Sequence, residues 1–171
     1  SVRCATVLMI DLSMSMHLRH YFSAAKRTAV ALHALISSQF PNDFLGIVGF
    51  ASSASIVKPQ DLPKLSWDMA YGTNMQHGLM LARAMLARQR GTRQIMMITD
   101  GEPTSFIDPE TGQSHFQYPP PKFIEDLTLV EVNRCTKSNI RINTFMLEPD
   151  ASLQRFVTTM TGINKGRAFY A

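Results

Sequence analysis

Residues 7–15 read Val7-Leu8-Met9-Ile10-Asp11-Leu12-Ser13-Met14-Ser15. Four consecutive apolar residues predict a short strand buried on both faces, as in a parallel sheet covered by helices. The strand ends on a carboxylate. Hydroxyls follow at alternate positions, so Asp11, Ser13 and Ser15 can reach one point if the loop curves around it. A second stretch, Gln94-Ile95-Met96-Met97-Ile98-Thr99, is another apolar strand, and it ends at Asp100. Open α/β sheets bind ligands beyond the carboxyl ends of their strands. The two aspartates therefore mark where chemistry is expected.

The pattern alternates on either side of these stretches. Residues 17–39 carry Leu18, Phe22, Ala25, Ala29, Leu32 and Ile36 in steps of three and four, one stripe of a helix. Pro41, Asn42 and Asp43 break it. Residues 44–50 and 54–57 predict a hairpin of two short strands. A second helix is expected over 74–90, with Met75, Leu79, Ala82, Met85 and Leu86 on one face and Gly91 as its cap. A loop rich in proline and aromatics spans 101–121. A helix over 122–138, a strand over 140–147, a short helix over 152–160 and a terminal strand over 167–171 complete the chain. Alternating strands and helices of these lengths read as crossover units. The expected fold is α/β and doubly wound. Its mostly parallel six-stranded sheet has one antiparallel edge strand and helices on both faces.

The 171 residues suit a single domain, 1–171. Hydrophobic residues make up 45% and charged residues 18%, below the roughly 25% of ordinary soluble domains, which argues against disorder and against a coiled coil. No run of 18 apolar residues is present, so no membrane span is read. The net charge of +4 permits an acidic partner without demanding one. Two cysteines cannot build a disulfide scaffold. Cys4 and Cys135 are expected as buried free thiols, favouring a reducing, cytoplasmic setting. Strands at both ends suggest a domain from a longer protein.

A third polar site, Gly72-Thr73-Asn74, opens the second helix. With Asp11, Ser13, Ser15, Thr73 and Asp100, every candidate donor is a hard oxygen. That set suits Mg²⁺, with Mn²⁺ as a substitute, and leaves a position for an outside carboxylate. A simpler reading stands beside it. Asp11, Ser13 and Ser15 can cap the first helix, and Thr73 with Gln76 fits a capping box.

Asp11-x-Ser13-x-Ser15, Thr73 and Asp100-Gly101 together resemble the metal-ion-dependent adhesion site of von Willebrand factor A domains. The resemblance runs over essentially the whole chain. It implies a strand order of 3-2-1-4-5-6. It also implies that Ser13, Ser15 and Thr73 bind the metal directly, that Asp11 and Asp100 bind directly or through water, and that a partner's Glu or Asp completes the sphere. The run at 99–103, the proline-rich loop and the run at 128–135 look more like bacterial intracellular members, similar to A-domain subunits that work beside AAA+ ATPases. Family members usually end with a further helix packed on the sheet, which this sequence does not display.

Other residues invite competing readings. His17, His20, His33, His77 and His115 show no zinc-ligand spacing; His17 and His77 are expected at the rim of the oxygen site. Most of the eleven methionines are expected in the core, with Met14 and Met16 exposed on the loop toward a partner. Arg88, Arg90 and Arg93 form a basic cluster at the far end of the sheet. They motivate the alternative of a nucleic-acid-associated A domain, although a solvated face is the simpler account. No G-x-S-x-G, P-loop or G-x-G-x-x-G is present, and no general base is assignable, so an enzyme is not expected. The expected function is a Mg²⁺-dependent protein–protein interaction module within an AAA+-associated assembly. The 101–121 loop, with Phe106, Phe116 and Tyr118, is expected either to form part of the partner surface or to pack on its own domain.

Overall fold

The computed structural model describes residues 3–170. Its six-stranded sheet runs β3-β2-β1-β4-β7-β8. These are β1 (Cys4–Asp11), β2 (Phe44–Phe50), β3 (Ala54–Ile56), β4 (Thr92–Thr99), β7 (Ile140–Met146) and β8 (Ala168–Tyr170). A separate hairpin, β5 (Ser105–Ile107) with β6 (Ser114–Phe116), rises from the 101–121 segment. Within the main sheet only β3 is antiparallel to its neighbour. In sequence order those six strands give the expected 3-2-1-4-5-6.

Strand residues alternate between two cores, as the two-residue period requires. Val7 and Met9 of β1, with Ile95 and Met97 of β4, join a large core. That core is completed by α3 (Met75–Leu86), α4 (Lys122–Lys137) and α5 (Ala151–Asn164). Ile10 and Ile98 face the other way, toward α1 (Met14–Leu18) and α2 (Phe22–Gln39). The chain winds to opposite faces from neighbouring strands. After β1 it crosses to β2 by α1 and α2; after β4 it crosses to β7 by α4. The connections diverge between β1 and β4, and there the ends of the two strands form a crevice.

Several boundaries differ from expectation for local reasons. The single helix expected over 17–39 is two. His20 takes φ 63, and the backbone N–H groups of Arg19 and His20 close the first turn on the carbonyls of Ser15 and His17. No glycine or proline signals this break. The α3 helix ends at Leu86, four residues early, where Arg93 Nη1 donates to the Leu86 carbonyl. Gly91 is therefore not its cap. At φ 88, Gly91 lets the chain press against the carbonyl of Arg3, where a Cβ would collide. The α5 helix is longer than expected and ends where Lys165 turns left-handed. Asn164 at its end bonds the Ile140 carbonyl and the Ile142 amide, stitching helix to strand.

Candidate functional site

Parallel register sets the two aspartates side by side. Ile10 pairs with Ile98, so Asp11 lies beside Thr99 and close to Asp100. Asp11 is fully buried and held by two donors. The Ser13 amide reaches Oδ1 at 2.8 Å, and the Thr99 hydroxyl reaches Oδ2 at 2.7 Å. From this aspartate the hydroxyls form a chain. Ser13 Oγ lies 3.0 Å from Ser15 Oγ, and Ser15 donates to Asp100 Oδ1 at 3.0 Å. The residues around 11–15 thus curve toward the end of β4.

Thr73 arrives from the N-terminal approach to α3. Its amide donates to Thr104 Oγ1 at 2.9 Å, and its carbonyl accepts from the Thr104 amide at 3.0 Å. Ser13, Ser15 and Thr73 line one cleft of about 250 Å³ above the sheet. The capping roles belong to other atoms. Ser13 stands at the N-cap of α1 without a side-chain cap bond. Asn74, not Thr73, caps α3 by accepting from the His77 amide, and Gln76 accepts from the Ile107 amide instead. The hydroxyls of Ser13 and Thr73 are therefore not consumed by helix termini.

The electrostatics are unbalanced. Burial, then the charge of Asp100, push the Asp11 carboxyl up to about 7. Burial also raises the Asp100 carboxyl, opposed by the Ser15 hydrogen bond and the nearby Arg19. Asp100 Oδ2 is buried and has no hydrogen-bond partner among the described residues. Its nearest cation is Arg19, whose Nη1 lies 3.6 Å away and donates to the Asp100 carbonyl at 3.1 Å. Two buried carboxylates and converging hydroxyls, with one carboxylate oxygen orphaned, suit a hard divalent cation. Among the described residues no three His, Cys, Asp or Glu side chains gather as a metal cluster, so the donor set rests on hydroxyls as well as carboxylates.

Other candidate residues go elsewhere. Met16 is fully buried against Ala25 and Ile98, correcting its expected exposure; Met14 lines the cleft. His77 is not a rim residue: its Nδ1 accepts from the Ala54 amide and so holds β3. His17 stacks on Trp67 with ring centroids 4.0 Å apart. Arg93 donates to the Leu86 and Ser138 carbonyls, which removes it from a free basic cluster with Arg88 and Arg90. Cys135 is buried, but Cys4 is only partly so. Sequence reasoning missed Arg19 and Thr104, and assigned no role to Thr99. Thr99 was visible as the polar end of an apolar strand; Arg19 had no local signal.

A family model described as "Rv0959-like protein, vWA domain" matches residues 4–171. The chain belongs to the Rv0959-like vWA family. Two curated relatives are the uncharacterized proteins Rv0959 of Mycobacterium tuberculosis and Mb0984 of Mycobacterium bovis. Each is 32% identical over 170 residues, covering 96% of this chain and 25% of the relative. The chain thus spans about a quarter of their length. This vWA domain also resembles solved structures. The pilus adhesin SpaC from Lactobacillus rhamnosus GG gives a TM-score of 0.71 at 18% identity, over 100% of this chain and 28% of that one. The SpRpn10 VWA domain gives 0.68 at 16% identity, over 100% and 88%. At these identities the likeness establishes the fold. Membership in the vWA class suggests protein–protein interaction as the coarse role. No helix among the described residues is long and apolar enough to cross a membrane.

Proposed function

We propose that this vWA domain is a non-catalytic, Mg²⁺-dependent protein–protein interaction module. Asp11, Ser13, Ser15, Thr73 and Asp100 would hold the ion, and Mn²⁺ would substitute for it. When bound, the metal supplies a Lewis-acidic position for a Glu or Asp of the partner. The observation that carries this reading is the orphaned Asp100 Oδ2, buried near a second buried carboxylate and beside the linked hydroxyls of Ser13 and Ser15. The chain's own residues do the positioning. Thr99 and the Ser13 amide orient Asp11; Thr104 orients the Thr73 backbone; burial keeps competing water from the two carboxylates.

The finer expectation of an AAA+ ATPase partner rests on the sequence runs at 99–103 and 128–135, and a cytoplasmic setting accompanies it. Co-purification of the full-length protein with an AAA+ ATPase in Mg²⁺, lost in EDTA, is its expected result. For the site itself, calorimetry with Mg²⁺ and Mn²⁺ is the test. Wild type should bind both and Asp11→Ala neither; equal binding by the two proteins overturns the assignment.

A further inference from the structure

The cleft beside the two aspartates has an aromatic wall that the ion site does not need. Tyr71 and Phe116 stack with centroids 6.0 Å apart. Tyr71 stands on the approach to Thr73 and Phe116 at the end of β6, and Tyr118 follows on the same strand's exit. All three line the cleft, and all three are solvent-exposed: 66%, 46% and 70% respectively. Met14 adds an apolar edge. Three aromatic side chains around one concavity differ from singly scattered surface apolar residues, which need no explanation.

The hairpin that carries this wall is anchored. Phe106 of β5 meets Phe123 of α4 edge-on at 5.2 Å. The Ile107 amide donates to Gln76 Oε1 at 2.8 Å. Gly72, at φ 129, packs where a Cβ would strike Ser105 Oγ. The loop therefore packs on its own domain through β5, while Phe116 and Tyr118 stay exposed along the cleft. A wall fixed before binding loses little entropy when a ligand arrives.

Charge selects what the wall would receive. Arg19 lies at the Asp100 side of the cleft, and Glu102 and Asp150 line it as well. A ligand carboxylate is favoured at the ion and Arg19. A second acid close to it would meet Glu102 and Asp150, whereas an apolar side chain would meet the rings.

We propose that the cleft recognises a partner segment in which one Asp or Glu is followed or preceded, within two residues, by a single large apolar side chain. The acid goes to the ion site and the apolar side chain lies against Tyr71, Phe116 and Tyr118. This inference rests on the metal–carboxylate reading and adds the neighbour that the chain selects.

The probe is a displayed library of random heptapeptides with a fixed central Asp, selected on this chain in Mg²⁺, alongside a library with central Asn. The expected result is recovery from the Asp library only, dependent on Mg²⁺. Phe, Tyr, Trp, Leu or Met should be enriched within two positions of the Asp, and acidic neighbours depleted. Replacing the enriched residue by Ala in a recovered peptide should weaken binding about tenfold. In a Tyr71→Ser/Phe116→Ser variant that tenfold advantage should vanish while calorimetric Mg²⁺ binding persists. Recovery that needs Asp and Mg²⁺ but shows no apolar neighbour overturns the cleft assignment and leaves the carboxylate reading standing. Recovery indifferent to Mg²⁺ or to Asp, or no recovery, overturns both. The wild-type selection decides the matter even if the variant fails to fold.

Discussion

Arg19 places its Nη1 3.6 Å from Asp100 Oδ2 and donates to the Asp100 carbonyl at 3.1 Å. The side chain is 43% exposed while the carboxyl is buried. A solvated guanidinium thus stands against a buried carboxylate whose second oxygen lacks a hydrogen bond. The contact is possible because the chain turns at His20, which separates α1 from α2 and leaves Arg19 at the first helix's end.

Arg19 competes electrostatically with any cation held by Asp100. Arg19→Ala should therefore tighten Mg²⁺ binding, by about tenfold at most. It should lower metal-free stability by about 0–1 kcal/mol, the range for a half-exposed pair. Calorimetry and thermal melting in EDTA measure the two effects. Weaker Mg²⁺ binding in the variant would show that Arg19 supports the ion instead.

An ion held by the folded state alone would stabilise it by mass action. At a Mg²⁺ concentration about 100 times the Kd, wild type should gain about 2.7 kcal/mol, seen as a rise in Tm of roughly 5–10 °C. Asp11→Ala and Asp100→Ala should show no such rise. A Tm indifferent to Mg²⁺ in wild type counts against the site.

Thr99 donates to the buried oxygen Asp11 Oδ2. Thr99→Val keeps the volume and removes the donor. Loss of an orienting partner of this kind typically weakens metal binding about 10–100-fold. Mg²⁺ affinity should fall within that range while the far-UV dichroism stays unchanged. Wild-type affinity in Thr99→Val would mean that the bond has no orienting role.

His77 is held neutral by burial, which lowers its pKa, and its Nδ1 accepts the Ala54 amide. The unfolded chain binds a proton near pH 6.5, whereas the folded chain resists it. This contribution is therefore complete above about pH 6.5 and declines as pH falls through that value toward the lower folded pKa. The raised Asp11 and Asp100 carboxyls act with the opposite sign over this range, so the difference between the two proteins is the readout. In urea unfolding in EDTA, wild type should lose stability relative to His77→Gln as pH falls from 7.5 to 5.5. An unchanged pH dependence in the variant refutes the assignment.

Burial pushes the Cys135 thiol up to about 12, so it carries almost no thiolate at neutral pH. A thiol reagent added to the native protein should modify Cys4 alone, and denaturant should expose the second thiol. Rapid modification of both in the native state would contradict the packing of α4 against the sheet.

Much of the fold was legible because its signals are local. The apolar run before Asp11 and the one before Asp100 each state a buried strand, and alternation with helical stripes states the winding. The five candidate oxygens were legible for the same reason: each sits at a strand end or a helix start. Boundaries were less legible. The break at His20 has no glycine or proline, and α3 stops where Arg93, from the next strand, takes the carbonyl of Leu86.

The sequence by itself determined the order of the main-sheet strands and their crossover helices and the chemical types of the candidate donors, because periodicity and residue type are carried in short stretches of chain. The 105–116 hairpin and the break at His20 were not among them. Only the tertiary structure decided which donors remain free. Thr73 could have capped α3, but Asn74 does so; Met16 could have faced a partner, but α1 buries it. It also brought Arg19 to Asp100 and Tyr71 to Phe116, residues separated by 81 and 45 positions. Such pairings follow from parallel register and from the closing of loops over one crevice, and no local pattern records the distance across a sheet.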